Sequence, residues 1–137
     1  MPSIFAKIIA GEIPCYKLYE DDHSFAFLDI FPLQRGQILI VSKKEVDHFF
    51  DLEEPYYQAI FATAKKISPH LKKVTGCKRV GLLIEWLEVS HVHIKLIPFS
   101  EWNDLDYWKR YPASEVELKE VQGQILFSLT TDGTGDK

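Results

Sequence analysis

Between Glu88 and Pro98 polar and apolar residues alternate: Val92, Ile94 and Leu96 fall on one side, His91, His93 and Lys95 on the other. This period of two predicts a strand over 88–98 with one buried face and one face carrying three nitrogen-bearing side chains, alternate Cα atoms roughly 6.5–7 Å apart. The other elements follow from similar patterns. Ser3 can cap a short helix whose apolar residues are Ile4, Phe5, Ile8 and Ile9, with Gly11 ending it and Pro14 barring its continuation. Residues 16–20 and 24–30 predict two strands about the turn Asp21-Asp22-His23; Phe25, Phe27 and Asp29 share one face of the second, and Ala26, Leu28 and Ile30 the other. Pro32 and Gly36 mark a loop, and the nearly continuous apolar run 37–42 predicts a central strand.

A long helix is predicted over 53–74, where Tyr57, Ile60, Phe61, Ala64, Ile67 and Leu71 recur at steps of three and four; Pro69 should remove one backbone hydrogen bond and kink it, and Gly76 should stop it. Residues 79–85 predict a further strand. A polar-aromatic loop spans 99–112, with Trp102, Tyr107, Trp108 and Tyr111, able to cover a site or to pack on the sheet or a partner. The last helix is predicted over 114–129, with Val116, Leu118, Val121, Ile125 and Leu126 as its apolar face. The order α-β-β-β-α-β-β-α defines an α+β class: an antiparallel sheet with helices packed beside it. Residues 1–129 are expected to form a single domain and 130–137 a disordered tail.

A chain of 137 residues suits one core, and a net charge of −4 supplies no basic footprint for duplex nucleic acid. Two cysteines, Cys15 and Cys77, without a CxxC, suggest no disulfide framework. No run is long and apolar enough to span a membrane, and Lys7 interrupts the apolar N-terminus, which does not read as a signal peptide. A cytoplasmic location is the expectation.

Neutral imidazole is a nucleophile, an acid–base group and a metal ligand near neutral pH, so His91 and His93 on one face are the first candidates for chemistry. Taken alone they could equally be satisfied strand histidines. A metal site would need a third ligand, and none has a telling spacing. Asp29 ends a strand, where a turn residue is ordinary. His23, His48 and His70 are expected at the surface.

The run His91-Val92-His93-Ile94-Lys95-Leu96-Ile97 resembles the signature of the histidine triad (HIT) family, His-φ-His-φ-His-φ-φ with φ apolar. SIFAKIIAGEIP, YEDD, FAFLDI, the P…G…LIVSKK spacing and the DL before the long helix extend the resemblance from about Ser3 to Pro98. It implies a HIT-like fold: a five-stranded antiparallel sheet with a long helix and a C-terminal helix, the sheet continuing across a homodimer. It also implies a ligand of the nucleoside phosphate type (AMP or GMP) and hydrolysis or transfer of the nucleotidyl group from nucleoside phosphoramidates or dinucleoside polyphosphates. His93 would then be the nucleophile forming a nucleotidyl-histidine, His91 its orienter and Lys95 the phosphate cation. Asp29 would bind the ribose hydroxyls, and Phe5, Ile8, Phe27 and Ile30 would line the base pocket. The mechanism needs no metal and no cofactor.

Lys95 stands where the family has its third His. It can neutralise a phosphate oxygen but cannot accept a proton as imidazole does near pH 7. Trp86 takes the place of a frequent Gly, and Glu88 that of a frequent phosphate-binding Ser, where its charge would repel phosphate. Ser3 and Ala6 occupy the positions of a CxxC zinc half-site, and Gln37 follows Gly36 where the family often has His. Lys95 and Trp86 motivate a second reading, a nucleotide-binding or regulatory homodimer with weakened turnover; a third is a structural dimer with Trp86 filling the site, Trp86 otherwise simply packing in its loop.

Overall fold

The structure, a computed structural model, describes residues 2–85 and 87–131. Its elements are α1 (Ile4–Ile9), β1 (Lys17–Glu20), β2 (Ser24–Leu28), β3 (Ile38–Ser42), α2 (Tyr56–Thr75), β4 (Arg79–Leu83), β5 (His93–Phe99) and α3 (Glu115–Thr131). The five strands form one sheet in the order β1-β2-β3-β5-β4, every pair antiparallel. This is the α+β architecture expected from the sequence.

The period of two sorts the sheet residues between two unequal cores. Ala26, Leu28, Ile38, Ile40, Ile94 and Leu96 point toward the larger core, where they meet Ile60, Ala64, Ile67 and Leu71 of α2 and Leu118, Val121, Ile125 and Leu129 of α3. Phe25, Phe27, Leu39 and Val41 point to the opposite face and meet Phe5 of α1 in a smaller cluster. Burying several such side chains stabilises the sheet by roughly 1.5–3 kcal/mol for each large one, so this alternation fixes the register. His93 lies opposite Val41 and Lys95 opposite Leu39 on β3, with Leu83 of β4 on the far side of Lys95. The histidine-bearing face of β5 is therefore the α1 face, away from the large helices.

Two glycines hold this layout for conformational reasons. Gly76 ends α2 in the left-handed region (φ 71°) and donates to the carbonyl of Lys72. Gly36 (φ 96°) enters β3 where an added Cβ would sit 3.0 Å from Thr75 Cγ2 and 3.2 Å from Leu71 Cδ1, so loop and helix touch only because no side chain intervenes.

The structure corrects several expectations. The strand predicted over 88–98 begins at His93; upstream of it the chain bends, the His91 amide donating to the Val89 carbonyl and the Val92 amide to the Val46 carbonyl. Val92 still reaches the larger core, which explains why its alternation looked strand-like. The long helix starts at Tyr56 and runs without interruption through Pro69, with Tyr57 exposed and Phe61 at the edge of the core. His70 is buried, not exposed, its Nδ1 2.8 Å from Ser128 Oγ. The buried stripe of α3 is Leu118, Val121, Ile125, Ser128 and Leu129, while Val116 is 76% exposed and Leu126 is exposed as well. Ser128 reads as polar in sequence, but its hydroxyl faces His70 across the α2–α3 contact, and that turns the helix face. The same helix includes Thr130 and Thr131, the first two residues of the expected tail. Trp86 and the rest of that tail, 132–137, lie outside the described residues.

Candidate active site

Helix α1 stands over β5 because one hydroxyl does two things. Ser3 Oγ accepts from the Ala6 amide at 3.0 Å, capping the helix, and lies 2.6 Å from Nδ1 of His91. His91 Nε2 is 2.7 Å from the Ser42 carbonyl. A carbonyl can only accept, so Nε2 carries the proton; Nδ1 then accepts from the Ser3 hydroxyl. His91 is wholly buried, and burial holds its pKa below the usual imidazole value.

The same reasoning fixes His93. Its Nδ1 is 2.7 Å from the carbonyl of His91, so Nδ1–H donates and the lone pair is left on Nε2. His93 is 3% exposed and lines a cavity of about 320 Å3. Burial, aided by the charge of Lys95, pushes its pKa down, so the ring is neutral at pH 7. Phe5 packs edge-on against it, centroids 4.9 Å apart. The result is a neutral imidazole of fixed tautomer, aimed by a main-chain carbonyl and presented to a cavity: the arrangement a nitrogen nucleophile requires.

All five residues expected to hold a nucleoside line that cavity: Phe5, Ile8, Phe27, Asp29 and Ile30. Asp29 is oriented from both sides, Oδ1 accepting from the Phe31 amide at 2.8 Å and Oδ2 from Nε2 of Gln37 at 2.9 Å. Gln37 is itself buried, its Oε1 accepting from the Leu33 amide. Gln37 thus aims the carboxylate.

Four further lining residues are charged: Glu85, Glu88, Lys95 and Arg110. Lys95, 7% exposed, has its ammonium 3.4 Å from Glu85. Glu88 is not an isolated repelling charge: Tyr107 donates to it at 2.8 Å and Arg110 at 3.0 Å, and these partners hold its carboxyl below the usual carboxylate range, the Tyr107 bond first. Burial and the same bond push the Tyr107 phenol up to about 12. The Tyr107 ring lies 5.6 Å from the Lys95 ammonium and 4.8 Å from the Arg110 guanidinium. Part of the aromatic loop therefore reaches the site, while Trp102 and Trp108 face solvent. Among the described residues no group of three or more His, Cys, Asp or Glu side chains is placed to hold a metal ion.

Sequence reasoning brought His91, His93, Lys95 and Asp29 into view but not the parts that set them. Glu85 and Arg110 were missed; Gln37 was noted only as standing in for a frequent His, Tyr107 only as one ring of a loop able to cover a site, and Ser3 only as a cap and as one position of an absent zinc half-site. Their signal lies in contacts across the chain: Ser3 and His91 are 88 residues apart in sequence.

The class of protein is defined by a five-stranded antiparallel sheet that presents a neutral, carbonyl-oriented histidine beside a cation, under an apolar helix and facing a carboxylate. Residues 10–101 match the family model of the HIT domain, and the chain belongs to that family. It is 36% identical over 136 residues to a HIT-like protein of Borreliella burgdorferi, covering 92% of this chain and 97% of that one. It is 33% identical over 132 residues to an adenosine 5'-monophosphoramidase of Schizosaccharomyces pombe, covering 91% and 96%. Among solved structures, a HIT-like protein from Bartonella henselae superposes with a TM-score of 0.81 at 27% identity, covering 92% of this chain and 95% of that one.

Proposed function

We propose that this protein is a HIT-type nucleotidyl hydrolase or transferase acting on nucleoside phosphoramidates or dinucleoside polyphosphates through His93. The observation that carries this reading is the His93 Nδ1 to His91 carbonyl bond, which leaves Nε2 as the nitrogen free to attack. Nε2 would attack the α-phosphorus as the bond to the leaving group breaks, giving a nucleotidyl-His93; the leaving amine takes up a proton from solvent. Water would then attack the same phosphorus, breaking the P–N bond to His93 and releasing a nucleoside monophosphate, with overall retention and ping-pong kinetics. Asp29 is the ribose acceptor in this reading, and Phe5, Ile8, Phe27 and Ile30 face the base, as in an AMP- or GMP-type ligand. The activity named for the S. pombe relative supports a phosphoramidate substrate.

One observation favours the second reading, a nucleotide-binding homodimer with weakened turnover: the ammonium of Lys95 is already engaged by Glu85. The two readings separate on a fluorogenic adenosine phosphoramidate assayed with the wild type, His93→Ala and Lys95→His. Turnover lost in His93→Ala supports the enzyme. A silent wild type that gains activity as Lys95→His supports the binding protein, and silence in all three removes the claim of phosphoramidate hydrolysis.

The homodimer is part of the same proposal. β4 lies at an edge of the sheet with Leu82 and Leu83 exposed, so a second copy could pair there and cover both.

A further inference from the structure

The cavity contains two ion pairs, and they are not equivalent. Lys95–Glu85 is the sheltered one, with side chains 8% and 23% exposed; Arg110–Glu88 is the open one, at 27% and 56%. With His93 neutral, these four charges cancel, and the Asp29 carboxylate leaves the lining with a net negative charge. A nucleotide brings at least one further negative charge, so one carboxylate must give up its cation to the phosphate. The open pair yields at least cost, because exposed pairs contribute little and Glu88 can pass directly into water.

Arg110 is held ready for this exchange. It lies past residues 10–101, the part matched to the HIT domain, on the segment that follows β5. That segment is pinned along residues 30–32, the Tyr111 amide donating to the Pro32 carbonyl and the Ala113 amide to the Ile30 carbonyl. Arg110 Nε donates to the Phe31 carbonyl at 3.2 Å, and Nη1 donates to Glu88 and to the Tyr107 hydroxyl. Nη2 has no hydrogen-bond partner among the described residues. The guanidinium thus bridges the turn that carries Asp29 and the loop that carries Glu88, lining the same cavity as His93 and Lys95. A planar fork with unused N–H groups at that place matches phosphate oxygens better than a lysine already committed to Glu85.

We propose that Arg110 is the phosphate-binding cation of this site and that Glu88 is its removable counter-ion. The inference rests on the nucleotide-site reading above. Substrate phosphate displaces the Glu88 carboxylate from Nη1, while the Phe31 carbonyl keeps the guanidinium in place; Lys95 remains paired with Glu85.

The test is calorimetric titration of AMP and of adenosine into the wild type, Arg110→Ala, Arg110→Lys and Glu88→Gln. Arg110→Ala should weaken AMP on the order of 10–100-fold and leave adenosine unchanged. Arg110→Lys should recover part of the loss, and Glu88→Gln should tighten AMP by about 2–5-fold, the yield of freeing an exposed pair. Equal losses for AMP and adenosine in Arg110→Ala would make Arg110 a structural clip and overturn the proposal, as would no loss for either. A wild type that binds neither ligand would overturn the nucleotide-site reading itself, and this inference with it.

Discussion

Replacing Ser3 by alanine removes two bonds made by one oxygen. The first is the helix cap, typically worth about 1 kcal/mol. The second is the hydroxyl donation to Nδ1 of His91 at 2.6 Å, which leaves an acceptor without a partner beside a wholly buried ring, at about 1–3 kcal/mol. The expected loss is therefore about 2–4 kcal/mol, and at about 3.5 °C per kcal/mol for a chain of this size the midpoint should fall by about 7–14 °C. Glycine separates the two parts, since it costs only a few tenths of a kcal/mol as a cap. Ser3→Gly should still lose the His91 bond and fall by nearly as much, whereas Ser3→Thr keeps the hydroxyl and should stay close to wild type. Because the His91 carbonyl aims His93, both losses should also lower kcat in the phosphoramidate assay. Chemical denaturation and thermal melts of the three variants decide the matter. A Ser3→Gly variant within about 0.5 kcal/mol of wild type would refute the claim that the Ser3–His91 bond carries most of the effect.

The imidazoles set a pH window. Their folded pKa values lie below 6.5, so the unfolded chain takes up protons first as pH falls; the stability they contribute is full above 6.5 and is lost as pH drops through the folded values. The acid limb of kcat/KM should accordingly lie below pH 6.5, and Lys95→Met should move it up, because it removes a repelling cation and leaves Glu85 unpaired; a limb that stays in place would show that His93 does not feel that charge. For the homodimer, light scattering after gel filtration should give twice the chain mass, and Leu83→Lys on the β4 edge should shift it toward the monomer; a wild type at monomer mass would remove the dimer.

What could be read from the sequence was whatever depends on neighbours along the chain. The alternation at 92–96, the helical steps at 60–71 and the stop at Gly76 all follow from local geometry, and the sheet and its long helix came out accordingly. His70 was misplaced, and Ser128 was left off the buried face of its helix, for the opposite reason. Each looks solvent-facing by type, and only the docking of α3 on α2 turns them into a buried pair. The site divides the same way. His93 and Asp29 sit in local patterns, while Arg110, 22 residues beyond Glu88, enters through a turn whose direction no periodicity encodes. The start of the strand at His93 was overestimated because Val92 keeps its inward direction through a bend held by the carbonyls of Val89 and Val46.

The partners that choose the tautomers of His91 and His93 are the carbonyls of Ser42 and His91. Carbonyls belong to the main chain, and no substitution deletes them while the path of the backbone stands. The protonation of His93 is thus inherited from the fold, whereas the charged groups that line the cavity beside it are side chains and free to change. Lys95 and Arg110 can therefore be exchanged for other side chains without disturbing which nitrogen of His93 carries the lone pair. The site is evolvable on its outer side because its inner side is written in backbone.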